Sequence, residues 1–143
     1  MSVSTTVLAF DFGEKRIGVA VGDLHVRIAH PLSTISAEDN STRFAEIAKL
    51  VSEWRPARLI VGLPMHADGV EHEVSRLARR FAQRLEGRFG VPTVLVDERL
   101  TSRAAESRLR ESGARGDDLD AGLDAYAARE ILEAWFATEV VKP

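Results

Sequence analysis

Hydrophobic residues in the first part of the chain follow the spacing of β-strands. The segment Thr5–Phe12 is almost continuously apolar, which predicts a buried central strand. Gly13 interrupts this run and Ile17–Val21 resumes it, so the two strands are expected to form an antiparallel hairpin. A weaker third strand is predicted over Val26–Ile35, where Pro31 indicates an edge position or a bulge.

The remainder of the chain alternates amphipathic helical spacing with short apolar runs. The predicted elements are, in order, a helix capped at Asp39, Asn40 or Ser41 and closed by Pro56, a strand Leu59–Leu63, a helix Val70–Phe89 closed by Gly90, a strand Val91–Val96, a helix from Thr101 or Ser102 to near Gly113, a loop Gly113–Gly122, and a final helix carrying Leu123, Ala127, Ile131 and Trp135. Three adjacent strands can pair antiparallel, and the two helix-linked strands should join them in parallel through right-handed crossovers. We therefore predict an α/β fold in one domain over residues 1–143, with a five-stranded mixed sheet flanked by helices.

Composition restricts the chemistry that this domain can perform. The chain is 45% hydrophobic and 29% charged, as is typical of globular proteins. It has no cysteine, which excludes disulfides, thiolate catalysis and cysteine-based zinc sites. No apolar run approaches the length of a membrane span, and the N-terminus does not resemble a signal peptide, so we expect a cytosolic protein without a membrane partner.

Charge is unevenly distributed along the chain, although the net charge is only −3. Residues 76–115 contain 10 arginines against 5 acidic residues, and the flanking segments are acidic. Four of these arginines recur every four residues and form one predicted cationic stripe on a helix, which could follow a phosphate backbone. The stripe consists of Arg76, Arg80, Arg84 and Arg88. A solvated helix face or part of a dimer contact explains the same spacing.

Three carboxylates lie where their local surroundings do not explain them. Asp11 interrupts an apolar strand, and a buried carboxylate is costly without a partner or a metal. Glu98 follows the strand Val91–Val96, at the carboxyl end where sites in open α/β sheets tend to lie. Asp124 shares a helix face with small apolar residues, so this helix should bring it towards the other two acids.

Such a cluster of oxygen ligands favours magnesium or manganese over zinc. Two ions about 3.5–4 Å apart would activate water and stabilise the leaving oxygen of a phosphodiester. A helix cap, a turn or an ion pair with arginine remains the alternative for each acid taken alone. The four histidines show no ligand spacing and are interpreted as ordinary residues.

Four motifs, in order along nearly the whole chain, resemble those of the YqgF (RuvX) family of resolvase-like nucleases. They are Asp11–Asp23, Ile60–Gly69, Asp97–Ser102 and Leu123–Ala128. The resemblance implies a ribonuclease H-like fold and a nuclease that matures the 5′ end of 16S ribosomal RNA or cleaves Holliday junctions. It also implies a catalytic, metal-binding triad of Asp11, Glu98 and Asp124, with Lys15, Arg16, Arg99 and Thr101 near the scissile phosphate. An ion pair with Asp97 or Glu98 is the alternative for Arg99.

The sequence departs from the family pattern at two places. The acidic stretch Asp117–Asp120 replaces basic residues that are common there and would repel a phosphate backbone. Within it, Asp120 is predicted to cap the last helix, with a fourth metal ligand as the alternative. His66 and Ala67 stand where an asparagine-containing sequence is common after Gly-Leu-Pro.

The predicted function is therefore metal-dependent hydrolysis of phosphodiesters in RNA, or in branched DNA, with a homodimer favoured for junction cleavage. A non-catalytic nucleic-acid-binding module of the same fold is the alternative. An actin-like ATPase shares the core topology but needs two such domains. Neither glycine fingerprint of Rossmann or P-loop enzymes is present.

Overall fold

The computed structural model describes residues 4–66, 68–101 and 116–138, with only the backbone for 116–121. Its elements are β1 (Thr6–Asp11), β2 (Arg16–Asp23), β3 (Ala29–Ser36), α1 (Asn40–Trp54), β4 (Arg58–Leu63), α2 (Glu73–Phe89), β5 (Thr93–Asp97), a 3-10 turn (Glu98–Leu100) and α3 (Gly116–Thr138). Within these residues the strands form one sheet in the order β3-β2-β1-β4-β5. The first three strands pair antiparallel, and β4 and β5 extend the sheet in parallel. The predicted sheet is confirmed.

Hydrophobic side chains cover both faces of the sheet, because the strands alternate their side chains between two helical layers. On one face α1 and α2 bury a cluster that includes Phe10, Phe44 and Phe81. On the other face α3 packs Ile131 and Leu132 against β1 and β4. Burial on both faces explains why the sequence of β1 is a continuous apolar run instead of an alternation of apolar and polar residues.

Several local predictions are confirmed by the element ends. Asp39 caps α1, with its side chain accepting a hydrogen bond from the Thr42 backbone N–H over 2.8 Å. Gly90 closes α2 in a left-handed conformation at φ 65°. Pro31 lies on the edge strand β3, opposite a shift in register between Val19 and Ala20, so both the edge and the irregularity are present.

The helix boundaries include three corrections. The predicted loop Gly113–Gly122 is wrong from Gly116 onward, because α3 begins there. Acidic residues near a helix N-terminus are favoured by the helix dipole, so the aspartates of this stretch are compatible with the start of a helix. The glycine and aspartate content of the stretch is also typical of a loop, which led to the wrong prediction. Asp120 is consequently inside the helix and is not its cap. Helix α2 begins at Glu73 instead of Val70, which is exposed. Most of the helix predicted up to Gly113 lies outside the described residues.

Candidate active site

Two acidic side chains meet at the carboxyl-terminal edge of the sheet. Asp11 is the last residue of β1, and Glu98 follows β5 directly in the 3-10 turn. The strand between them, β4, carries Gly62, where a Cβ atom would lie 3.0 Å from Cγ of Glu98 and 2.4 Å from Cδ1 of Ile131. The absence of a side chain at Gly62 therefore leaves the space that Glu98 occupies beside Asp11.

The pKa values of both carboxyl groups are raised. Burial, the charge of Glu98, a hydrogen bond to Glu98 and, least, the charge of Asp124 together raise the pKa of Asp11 well above its ordinary value. Burial also raises the pKa of Glu98, while its hydrogen bond with Asp11 opposes that shift. The pair is thus a half-buried acidic site that carries one negative charge more readily than two.

Asp124 reaches this edge from α3 on one face of the sheet. Its backbone lies directly on β2, since a Cβ atom at Gly18 would be only 1.8 Å from the carbonyl oxygen of Asp124. Its carboxylate accepts a hydrogen bond from Nε of Arg16 over 2.8 Å, and both side chains are partly exposed. Arg16, which the resemblance places near phosphate, here pairs with the third predicted acid.

A buried arginine stabilises the turn between β1 and β2 by hydrogen bonds. Arg43, only 3% exposed, donates hydrogen bonds to the carbonyl oxygens of Ala37, Gly13 and Glu14 at 2.5, 2.7 and 2.5 Å respectively. Three carbonyl acceptors satisfy most of its guanidinium. The anchored turn presents Lys15 to solvent, next to Arg16.

Arg99 and Thr101 both contact the turn that holds Glu98. The guanidinium of Arg99 binds Asp97, with Nη2 2.6 Å from Oδ2 and Nε 3.0 Å from the same oxygen. The ion pair with Asp97 that the sequence left open is therefore present. Thr101 donates from Oγ1 to the carbonyl oxygen of Glu98 over 2.6 Å and so stabilises the turn.

The predicted arginine stripe lies on α2, on the opposite face of the sheet from α3. Arg76 pairs with Glu73 at 3.0 Å, and the guanidinium of Arg88 lies 4.3 Å from the centre of the Phe44 ring. Arg80 is exposed and Arg84 is half-buried. The side chains remain available on the surface, so their role in binding stays a prediction.

Three residues near the site were missed at the level of sequence. Arg43 and Gly62 carry no local signal, because what they contact comes from distant segments of the chain. His72, interpreted as ordinary, caps α2 with its side chain and lies within electrostatic range of Glu98. A polar residue just before the helical run of α2 was the available signal for the cap.

A metal ion at this edge would depend mainly on the Asp11–Glu98 pair. Among the described side chains of residues 4–66, 68–101 and 122–138, no three histidine or acidic side chains are grouped closely enough to hold one ion together. Two half-buried carboxyls with raised pKa values nevertheless fit a divalent cation, because a bound cation favours the charged form that burial disfavours.

Comparison with known proteins identifies the family of this chain. A family model described as "RuvX: Holliday junction resolvase" matches residues 5–138. The chain belongs to the RuvX family. The match extends over β1, the Glu98 turn and α3, so all three acids lie within it, and the resemblance to the family is confirmed.

Relatives from two bacteria are similar over nearly their full lengths. A protein of Dechloromonas aromatica is 59% identical over 92% of this chain and 90% of its own length. One of Chromobacterium violaceum is 58% identical over 90% of this chain and 95% of its own. Both are named as candidate pre-16S rRNA nucleases. This RuvX chain is thus similar to proteins that are named as nucleases.

Solved structures show the same fold at low sequence identity. RuvC of Thermus thermophilus, in complex with a Holliday junction substrate, superposes with a TM-score of 0.59 at 16% identity over 94% of both chains. A second structure of that RuvC gives a TM-score of 0.57. The predicted ribonuclease H-like fold is confirmed. No helix in the described part of the chain is long and apolar enough to cross a membrane.

Proposed function

We propose that this chain is a metal-dependent nuclease that hydrolyses phosphodiester bonds in RNA, in the 5′-end maturation of precursor 16S rRNA. The observation that carries the proposal is the half-buried Asp11–Glu98 pair, with raised pKa values, at the carboxyl edge of the sheet. Both carboxyls lie where burial disfavours their charged form, which is typical of a site that exists for a cation or a proton transfer. We propose RNA as the substrate because the relatives are named for the processing of pre-16S rRNA. This function implies a cytosolic location.

Asp11 and Glu98 are proposed to hold magnesium or manganese, with Asp124 as the third acid. When bound, such an ion supplies an activated water and neutralises charge on the phosphate that is being cleaved. Glu98 is positioned for this by the empty space at Gly62 and by the 2.6 Å hydrogen bond from Thr101 to its carbonyl. Asp124 is positioned by Arg16 over 2.8 Å.

Basic side chains around this edge are proposed to bind the phosphates that flank the cleaved bond. Lys15 is exposed on the turn anchored by Arg43 and can reach a phosphate without breaking a hydrogen bond found in the structure. Arg16 and Arg99 would contact phosphate next to the carboxylates they already pair with. The stripe Arg76, Arg80, Arg84 and Arg88 would extend the track across the other face.

The deciding experiment is cleavage of three end-labelled substrates by the wild type and by Asp11→Asn. The substrates are a structured 16S precursor fragment, a single-stranded RNA and a four-way DNA junction, each with magnesium, with manganese or with EDTA. We expect metal-dependent cleavage of the RNA that Asp11→Asn abolishes. Asp23→Asn is the matched control, because Asp23 ends β2 at the opposite end of the same hairpin. An asparagine there keeps an oxygen that accepts from the backbone N–H groups of His25 and Val26, and its amide nitrogen can donate to Oγ1 of Thr5.

Cleavage of branched DNA is a second candidate function, favoured by the description of the family as Holliday junction resolvases. Symmetric cleavage of the junction, together with a dimer in sedimentation, would support it over RNA maturation. Tight binding of RNA or DNA without cleavage by the wild type would instead favour a binding module of the same fold.

A further inference from the structure

The loop between β4 and α2 places two histidine rings against each other beside the candidate active site. The ring centres of His66 and His72 are 4.7 Å apart, and the ring planes are inclined at 55°. His66 is exposed to solvent, while His72 is half-buried beneath it. Together they form an aromatic platform, defined here as the rings of His66 and His72.

The lower ring of the platform is fixed to the helix it caps. Nδ1 of His72 accepts a hydrogen bond from the backbone N–H of Val74 over 3.2 Å. The backbone N–H of His72 donates to Oγ of Ser75 over 3.0 Å, and buried Ser75 donates in turn to the carbonyl oxygen of Pro64. His72 therefore cannot turn without breaking the start of α2.

The upper ring sits on a tight turn. The backbone N–H of His66 donates to the carbonyl oxygen of Val70 over 2.9 Å, and its own carbonyl accepts from Gly69 over 2.9 Å. Gly69 has φ 89°, a conformation that side chains other than glycine rarely adopt. The turn holds the His66 ring against His72 and exposed to solvent. Burial of apolar surface alone therefore does not explain the position of this ring.

The platform adjoins both parts of the proposed catalytic edge. His72 lies within electrostatic range of the carboxyl of Glu98. On the other side of the loop, a Cβ atom at Gly69 would lie 3.1 Å from Nη1 of Arg99. A nucleic-acid strand whose phosphate lies at the Asp11–Glu98 pair and at Arg99 would therefore run beside the loop that carries the platform.

We propose that the His66–His72 platform stacks against one unpaired nucleobase of the substrate, adjacent to the phosphodiester at Asp11 and Glu98. This rests on the proposed nuclease function and specifies its substrate as a strand that is single-stranded, or frayed, at the cleaved bond. Bases splayed out of a helix stack on aromatic side chains, including histidine, whereas bases inside a duplex already stack on each other. The platform would thus select unpaired RNA without reading its sequence.

The test measures stacking without requiring cleavage. Single-stranded oligoribonucleotides carrying 2-aminopurine at successive positions are bound to the Asp11→Asn protein with magnesium, and their fluorescence is recorded. We expect a change in fluorescence at one or two positions, since stacking alters 2-aminopurine emission. In the same background His66→Ala should remove that change and weaken binding about five- to tenfold, the lower end of what a base–aromatic contact contributes. His66→Phe, which keeps a ring, should retain both.

Matched controls separate stacking from general effects of losing a histidine. His30→Ala removes an exposed histidine on the edge strand β3 and should change neither the fluorescence nor the affinity. Fully paired RNA should give no position-specific change, and single-stranded DNA should give the same change as RNA because stacking uses the base. Thermal unfolding of His66→Ala is expected to match the parent, since His66 is exposed.

An unchanged fluorescence signal and affinity in His66→Ala would overturn the platform, as would a complete lack of RNA binding by the Asp11→Asn protein. The failure of the proposed function is recognised separately. Wild type that does not cleave RNA contradicts the nuclease, whatever the fluorescence shows, and cleavage by wild type with an indifferent His66→Ala contradicts only the platform.

Discussion

Arg16 and Asp124 are 108 residues apart in the chain, and a hydrogen bond of 2.8 Å from Nε to Oδ2 joins them. Arg16 is the first residue of β2, and Asp124 lies on α3 above the same strand, where Gly18 allows the two backbones to touch. The pair therefore couples the position of the third acid to the hairpin turn that also carries Lys15. The guanidinium and the carboxylate are partly exposed, at 39% and 25%, so the bond orients Asp124 more than it stabilises the fold.

Arg16→Gln should reduce catalysis far more than stability. We expect the free energy of unfolding to fall by about 1 kcal/mol or less, because exposed ion pairs contribute little. The kcat/KM for RNA cleavage should fall by about tenfold or more, since Asp124 loses its orientation and a phosphate loses a donor. Urea denaturation and initial rates measure the two effects. Arg79→Gln, which breaks a comparable exposed pair with Glu71, should leave the rate unchanged. Equal losses of rate in both variants would contradict the role of Arg16.

Asp11→Asn should stabilise the protein at neutral pH in the presence of EDTA. The pKa of Asp11 in the folded protein lies well above its ordinary value of 3.8. Above about pH 4 the unfolded chain therefore loses a proton that the folded protein retains, so the contribution of Asp11 to stability falls as pH rises through the folded pKa. Replacement by asparagine removes this pH-dependent loss of stability. We therefore expect the free energy of unfolding to rise by on the order of 1 kcal/mol at pH 7, and this gain to disappear near pH 3. Urea denaturation of both proteins across this range measures the difference. A variant that is equally destabilised at both pH values would contradict the shift.

Magnesium or manganese should raise the unfolding temperature of the wild type. A ligand that binds only the folded protein stabilises it by about 2.7 kcal/mol at a hundredfold excess over its Kd. Asp11→Asn and Glu98→Gln should lose this metal-dependent stabilisation, whereas Asp23→Asn should retain it. Differential scanning calorimetry with increasing metal concentration measures the shift. A wild-type shift that survives in both site variants would assign the metal to another part of the chain.

Gly18→Ala should destabilise the protein strongly, although it adds a single methyl group. The new Cβ atom would lie 1.8 Å from the carbonyl oxygen of Asp124, and the backbone of α3 would have to move away from β2. We expect a loss of about 3 kcal/mol and a loss of cleavage beyond what the stability change explains. Gly87→Ala is the matched control, because nothing lies within 4 Å of the added atom in α2 and alanine favours the helix by about 0.5–1 kcal/mol. A stable, active Gly18→Ala protein would contradict the close approach of α3.

Much of the fold follows from local patterns in the sequence. The continuous apolar run of β1, the helical spacing of α1 and α2, and the cap and stop residues Asp39 and Gly90 each report on the few residues around them. These features also made the three acids conspicuous, because a carboxylate on an apolar face is unexpected wherever the rest of the chain lies. For the same reason, the weakest local pattern, the glycine- and aspartate-rich stretch before Leu123, produced the wrong helix start.

The amino-acid sequence by itself thus determined the order of strands and helices, their buried faces, the family and the identity of the candidate acids. Only the tertiary structure decided that Asp11 lies beside Glu98, that Arg16 pairs with Asp124, that Arg43 anchors the first turn and that His66 lies against His72. Periodicity encodes which face of an element is buried, a property of neighbouring residues. Distances between side chains on different elements depend on strand register and on how closely helices approach the sheet, and at Gly18 and Gly62 the missing side chains set that approach.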